Sequence, residues 1–257
     1  MFKRLIDRIT LKGYRQEITA NQRKQTEEVK RLYDQLFLNN PVLIVQDVQM
    51  YLPLFYVDHI QKLIYRDRNF YELETLQYLQ TNYGNFQNIL DIGSNIGNHM
   101  LYYCSKMQAK QVVCFEPNSF NHAVLCKNVT LNNLQQVVTV HNCALGEKTG
   151  KGIQKDFSNS NTGMNRIETA SSNEEGSIEI KRLDDFGYSN IDFVKIDVEG
   201  FEVEVLKGAA NTLRNSKAVV MIEVFANSRQ QVNELMESYG YRNTHVIEEF
   251  NLIYTVK

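Results

Sequence analysis

The stretch Asn88-Ile-Leu-Asp-Ile-Gly-Ser-Asn-Ile-Gly-Asn-His99 reads as a buried strand that feeds a tight turn and then a helix. Ile89, Leu90 and Ile92 form the short apolar run of a buried parallel strand, closed by Asp91 and Gly93. From Gly97 onward the apolar positions Met100, Leu101, Cys104 and Met107 recur at helical spacing. Such a turn delivers free backbone N–H groups at a helix N-terminus, so it is a candidate cofactor cradle, with Asp91, Gly93, Ser94, Asn95, Gly97 and Asn98 as its members. A dinucleotide fold wants G-x-G-x-x-G, so that the backbone can approach a pyrophosphate. Here Ser94 and Asn95 follow Gly93, which suits a ligand that carries a nucleoside without a phosphate.

Two further strand ends extend that reading. Val112-Val-Cys-Phe115 ends in Glu116-Pro117-Asn118, about 20 positions beyond the glycine motif, where an acid accepts hydrogen bonds from ribose hydroxyls. Val137 to Ala144 forms a third strand, and its end at Cys143 and Ala144 lies where the adenine of a nucleoside cofactor sits in a doubly wound sheet, or is an ordinary turn.

A second chemical centre follows Ile191-Asp-Phe-Val-Lys-Ile196, a buried strand that ends in Asp197-Val198-Glu199-Gly200. Alternate strand residues share a face, so Lys195, Asp197 and Glu199 project together at the edge where open α/β sheets bind ligands. A structural ion-pair network is the alternative. The buried strand Ala218 to Ile222 likewise ends in an acid, Glu223. Asp197, Glu199 and Glu223 offer the hard oxygen donors that suit Mg²⁺, but no H-x-E or repeated-Asp spacing accompanies them and no metal is expected.

With 257 residues the chain is long enough for one large domain, or a domain with an extension. Its 28 basic and 30 acidic side chains leave a net charge of -2, which argues against a nucleic-acid partner. Cys104, Cys114, Cys126 and Cys143 form no C-x-x-C pair and read as small buried residues in a reducing compartment. No signal-peptide pattern and no apolar window of about 18 residues occurs, so a cytoplasmic protein without a transmembrane segment is expected.

Residues 1 to 15 carry a net charge of +4, with Phe2, Leu5, Ile6 and Ile9 on one helical face. Weak contact with an anionic membrane surface is one reading; packing on the chain's own domain or on a partner is preferred. Residues 16 to 38 suit a helix that ends at Asn39-Asn40-Pro41; Val42 to Val48 and Tyr51 to Val57 are β-prone. A helix opens over Asn69 to Glu74 and ends near Gly84, with Glu72 and Glu74 either as acids that face the cleft or as solvated helix charges. These elements define an extension over 1–85, a substrate cap or a route to a homo-oligomer, ahead of a cofactor-binding domain over 86–257. Within the latter, helices are expected over Ser119 to Asn133, Phe201 to Thr212 and Ser228 to Tyr239. A polar substrate-facing loop is expected over Gly150 to Asn173, a half-exposed strand over Ser177 to Arg182 and a strand pair over Asn243 to Val256. The alternation predicts a doubly wound α/β fold, its sheet mostly parallel with an antiparallel final strand.

The set Asp91-Ile-Gly-Ser-Asn-Ile-Gly97, Cys114-Phe-Glu-Pro-Asn118, Ala144-Leu-Gly146, Leu183-Asp-Asp185 and Val194-Lys-Ile-Asp-Val-Glu-Gly200 with Glu202 resembles the FkbM family of S-adenosylmethionine-dependent methyltransferases. The resemblance runs from about Phe70 to Phe225 and is most specific at Lys-Ile-Asp-Val-Glu-Gly. It implies a Rossmann-like class I methyltransferase sheet with S-adenosylmethionine across the C-terminal strand edges. By position it implies Asp91, Gly93, Asn95 and Gly97 at the methionine end, Glu116 on the ribose, and Asn118 with Cys143 and Ala144 at the adenine. It further implies O-methylation of a sugar, glycan or secondary-metabolite hydroxyl.

Methyl transfer from a sulfonium is an in-line displacement, in which the protein aligns the acceptor oxygen and removes its proton. Asp197 is the first candidate base, Glu199 an orienting group, Lys195 the cation that keeps Asp197 ionised and His99 a further candidate base. An NAD-type oxidoreductase is the second reading, disfavoured by Ser94 and Asn95; a non-catalytic cofactor-binding assembly protein is the third, disfavoured by the acids at the Asp197 strand edge.

Overall fold

The protein is represented by a computed structural model that describes residues 24–25, 27–28, 31, 35, 37–155, 166–169 and 177–257. The basic face over 1–15 and the centre of the polar segment at 158–163 lie outside the described residues. The chain divides into two compact units, 1–42 and Leu43–Lys257. In the first, the described positions from 24 to 39 are helical.

The second unit opens on a two-stranded hairpin, β1 (Val42–Val45) and β2 (Val48–Tyr51). Residues 52–57, read as extended from the sequence, are mostly turns that end at Asp58. The Asp58 carboxylate accepts the Gln61 N–H at 3.0 Å and starts α1 (His59–Asp67), a helix with no counterpart among the sequence expectations. Ile60, Leu63 and Ile64 carry its period. α2 (Leu73–Tyr83) follows and ends at Gly84. Residues 43–85 of the expected extension therefore belong to the same compact unit as the sheet.

The main sheet begins with β3 (Asn88–Ile92), α3 (Asn98–Ser105), β4 (Gln111–Phe115), α4 (Ser119–Leu131) and β5 (Val138–His141). The chain next forms a second sheet from β6 (Ala144–Leu145), β7 (Gly150–Lys155), β8 (Arg166–Thr169) and β9 (Ile178–Lys181), ordered β6-β9-β7-β8. The expected polar loop over 150–173 thus contains two antiparallel strands. Its polar composition hides them, because pairing of β7 with β9 and of β8 with β7, and not intrinsic propensity, makes them strands.

The chain returns to the main sheet with β10 (Phe193–Ile196), α5 (Glu202–Gly208), α6 (Ala210–Ser216), β11 (Val219–Glu223), α7 (Arg229–Ser238), β12 (Tyr241–Ile247) and β13 (Asn251–Val256). The single helix expected over Phe201 to Thr212 is two helices that meet at Ala209. Gly208 packs so close to the Gly146 carbonyl that a Cβ would lie 2.0 Å from its oxygen, and the Asp184 carboxylate accepts the Asn211 and Thr212 N–H groups to start the second helix.

The sheet order is β12-β13-β11-β10-β3-β4-β5, parallel except for β13, which runs antiparallel to both neighbours. This is the expected doubly wound α/β architecture, its sheet mostly parallel with an antiparallel last strand. Its central strands are covered on both faces, so Ile89, Leu90, Phe193, Val194, Ile196, Val220 and Ile222 are buried. The strand order reverses between β3 and β10, which opens a crevice at their C-terminal ends.

Gly93 makes that crevice. Its φ is +82°, and a Cβ there would lie 1.8 Å from the Asp197 carbonyl oxygen, so the turns after β3 and β10 touch backbone to backbone. Gly93→Ala is expected to remove about 3 kcal/mol of stability or more, measured as the urea unfolding midpoint; a loss under about 1 kcal/mol would show that the two turns can separate freely.

Candidate active site

The cleft at the strand reversal is lined from four directions. Gly93 and Asn95 come from the turn after β3, Glu116, Pro117 and Asn118 from the end of β4, Cys143 and Ala144 from beyond β5, and Asp197, Val198, Glu199 and Phe201 from the end of β10. Tyr71 and Glu72 from ahead of α2, His59 and Ile60 at the start of α1, and Glu223 at the end of β11 complete the walls.

Glu116 joins the first two strand ends. Its carboxylate accepts the Asn95 N–H at 2.8 Å through one oxygen and the Asn118 N–H at 2.8 Å through the other. Each oxygen keeps a further lone pair that is not used by these bonds. Burial pushes this acid up to about 7, against the pull of the two backbone N–H groups. The Asn118 side chain is committed to capping α4, accepting from the Phe120 and Asn121 N–H groups. Beside them, Cys143, Ala144, Ile178 and Phe201 make one wall largely apolar.

At the opposite end Lys195 lies beneath the cleft floor. Its Nζ is 2.9 Å from Asp197 Oδ2, 3.2 Å from the Gly93 carbonyl oxygen and 3.8 Å from Asp91 Oδ1. Burial would depress the ammonium, but Asp197 and Asp91 outweigh it and hold Lys195 above the ordinary lysine range. Asp91 is itself raised, because complete burial exceeds what Lys195 returns at the longer distance.

Glu72 is held in the left-handed region, φ 55°, at the N-terminus of α2. Its Oε2 is 3.1 Å from His99 Nε2. The preceding residue is fixed by Asn98, whose amide accepts the Tyr71 N–H and donates to the Tyr71 carbonyl, each at 3.0 Å.

The candidate residues therefore divide. Gly93, Asn95, Glu116, Pro117, Asn118, Cys143, Ala144, Asp197 and Glu199 line the cleft. Asp91, Ser94, Asn98, His99 and Lys195 are buried beside or beneath it: Ser94 Oγ donates to the Asp91 carbonyl, and Asn98 is spent on Tyr71. Gly97 packs under Leu125 and Met100. Glu74 is exposed and does not line the cleft; it lies two positions, about half a helical turn, from Glu72, which does. Tyr71 and Phe201 also line the cleft without any sequence signal for it, and so does Glu223, which the sequence marks only as an acid at a buried strand's end and a possible oxygen donor. Among the described residues no group of three or more His, Cys, Asp or Glu is arranged to hold a metal ion.

The chain that builds this cleft at the reversal of a seven-stranded sheet, with an acid at the end of the second strand, also matches a known family in sequence. The sequence model of the methyltransferase FkbM domain matches residues 91–243. The chain belongs to the FkbM-domain methyltransferase family. It is similar to methyltransferase sdnD of Sordaria araneosa, 30% identical over 188 residues that cover 60% of this chain and 73% of the relative. It is also similar to the hexuronic acid methyltransferase AglP of Haloferax volcanii, 29% identical over 210 residues, 78% of this chain and 83% of the relative. The crystal structure of methyltransferase FkbM from Methylobacillus flagellatus superposes with a TM-score of 0.48 at 19% identity, covering 79% of this chain and 57% of that one. This chain thus spans little more than half of that structure. Among the described residues of this FkbM methyltransferase no helix is long and apolar enough to cross a membrane.

Lys195→Met leaves the fully buried Asp91 and its neighbour Asp197 without their cation, and is expected to lower unfolding stability by about 3 to 5 kcal/mol. Adding Asp91→Asn to that variant should recover part of the loss in a chemical-denaturation cycle. A single variant as stable as the parent would mean that the ammonium does not compensate those charges.

Proposed function

We propose that this chain transfers a methyl group from S-adenosylmethionine to a hydroxyl of a sugar or similar small acceptor. The observation that carries this reading is the placement of Glu116: both oxygens are oriented by backbone N–H groups with lone pairs to spare, the residue lines the cleft, and apolar lining residues accompany it. Vicinal ribose hydroxyls suit the carboxylate, and an adenine suits Cys143, Ala144, Ile178 and Phe201. The ammonium of the methionine end finds Asp197 and Glu72 at the other end of the cleft. The cofactor supplies a carbon already activated by a positive sulfur. Asp197, hydrogen-bonded by Lys195, helps to orient the acceptor, and Glu199 assists at the rim.

A sugar acceptor is supported by the similarity to a hexuronic acid methyltransferase. The charge of this cleft narrows the class. Five carboxylates line it, at Glu72, Glu116, Asp197, Glu199 and Glu223, and no Lys or Arg does so among the described residues. A second anion brought against these groups meets repulsion, so the reading here is an uncharged sugar. Residues 43–72, through His59, Ile60, Tyr71 and Glu72, act as the acceptor-side cap.

Calorimetric titration with S-adenosylhomocysteine tests the cofactor assignment, with micromolar binding at pH 8 as the expected result. Ribose hydroxyls donate to an ionised Glu116, so affinity should fall as pH drops from 8 to 6 and this acid takes up a proton. Glu116→Gln is expected to weaken binding by about 1 to 3 kcal/mol and to flatten that pH dependence. An unaltered affinity in the variant would remove Glu116 from the ribose site. Among methyl glycosides offered with labelled S-adenosylmethionine, the neutral ones should accept methyl at least about tenfold faster than the uronates; equal rates would discard the charge argument.

A further inference from the structure

We propose that Glu223, the last residue of β11, is the group that takes the acceptor's proton, an assignment that rests on the reading of a hydroxyl acceptor. Three of the five cleft carboxylates are already engaged: Glu116 with two backbone N–H groups, Asp197 with Lys195 at 2.9 Å, and Glu72 with His99 at 3.1 Å. Glu223 lines the same cleft, and among the described residues its carboxylate makes no hydrogen bond or ion pair. Its position is fixed by the sheet, since β11 lies between β10 and β13 and Glu223 pairs in register with Asn251.

The charges that face Glu223 are nearly all of its own sign. Asp197 and Glu199 approach from the turn after β10 and Glu72 from the start of α2, while Lys195 lies under Asp197 and opposes them. Burial, then Asp197 and Glu72, push Glu223 up to about 8. A proton acceptor works best when its affinity for the proton lies near the working pH. Asp197 is engaged instead, its Oδ2 accepting from the Lys195 ammonium at 2.9 Å.

The step balances. The acceptor oxygen forms its bond to the methyl carbon, the carbon–sulfur bond breaks with its electron pair passing to sulfur, and the O–H proton moves to the Glu223 carboxylate, leaving a neutral carboxylic acid.

Two measurements test the assignment. In full-length protein carrying ¹³C at the glutamate side-chain carboxyls, the resonance lost in Glu223→Gln identifies this group. It should titrate near pH 8, with and without S-adenosylhomocysteine; a midpoint below about 6 overturns the proposal. With labelled S-adenosylmethionine and neutral methyl glycosides, kcat of the parent should rise with pH through that range. Glu223→Gln should lower kcat by about 100-fold or more and abolish the rise, with the S-adenosylhomocysteine dissociation constant changed less than about threefold. Asp197→Asn should lower turnover yet keep the rise. A Glu223→Gln enzyme that retains the parent's rate or its pH profile overturns the assignment. If S-adenosylhomocysteine binds but no glycoside accepts methyl, the sugar reading fails, and the carboxyl titration alone decides for or against Glu223.

Discussion

The buried Lys195 ammonium is the constraint on which the cleft depends. A lysine without access to water is stable only when its charge is matched, and three oxygens from three different positions match it here: Asp197, the Gly93 carbonyl and, more distantly, Asp91. Those oxygens belong to β3, to the turn that follows it and to the turn after β10. Satisfying one cation therefore fixes how the two central strand ends meet. The absence of a side chain at Gly93 is part of the same arrangement, since only a glycine lets its backbone lie against the Asp197 carbonyl.

From that floor upward, environment and not residue type assigns the carboxylates. Glu116 is oriented by backbone N–H groups, and burial raises its proton affinity. Glu72 feels a burial penalty of the same kind, yet the contact with His99 outweighs it and brings the acid below the ordinary glutamate range. Asp197 sits against a cation. Glu223 sits against other acids. An oxygen-rich cleft with so little compensating charge favours cationic or neutral occupants, and a sulfonium donor with an uncharged acceptor meets that condition.

The parts of this site that were legible in the sequence are those written in short-range pattern. The run Ile89 to Ile92 into Gly93, the acid at Glu116 and the alternation Lys195, Asp197, Glu199 each combine strand periodicity with an unusual residue at a strand's end. The direction of a side chain within the turn was not legible. Asp91 and Asn98 flank the glycine turn, but the left-handed residues Gly93, Asn95 and Gly97 carry the backbone so that Asp91 lies beneath the floor and Asn98 faces Tyr71. Likewise Glu72 and Glu74 are equivalent as acids at a helix start, and only the φ of +55° at Glu72 with the nearby His99 separates them. The strands β7 and β8 and the break at Ala209 depend on contacts with distant residues, which no local window contains.

The same reasoning explains why residues 43–72 serve the cleft although they precede the sheet. The hairpin buries Leu43, Val45, Val48 and Met50 and is tied down by two asparagines of α4 and its C-terminal cap: Asn132 accepts the Gln49 N–H and donates to the Gln49 carbonyl, and Asn128 accepts the Tyr51 N–H. The Asn128 amide also donates to the Ile96 carbonyl inside the glycine turn, at 2.9 Å. One buried side chain thus bonds the cradle on one side and the hairpin on the other, while Asn98 at the start of α3 fixes Tyr71 directly. Because a buried amide tolerates no unmet partner, movement of the cradle is opposed by the hairpin and the reverse. The wall that carries Tyr71 and Glu72 is consequently positioned by the helices that follow the first two strand ends. The glycine turn and the wall that faces it across the cleft are set by a single hydrogen-bonded frame.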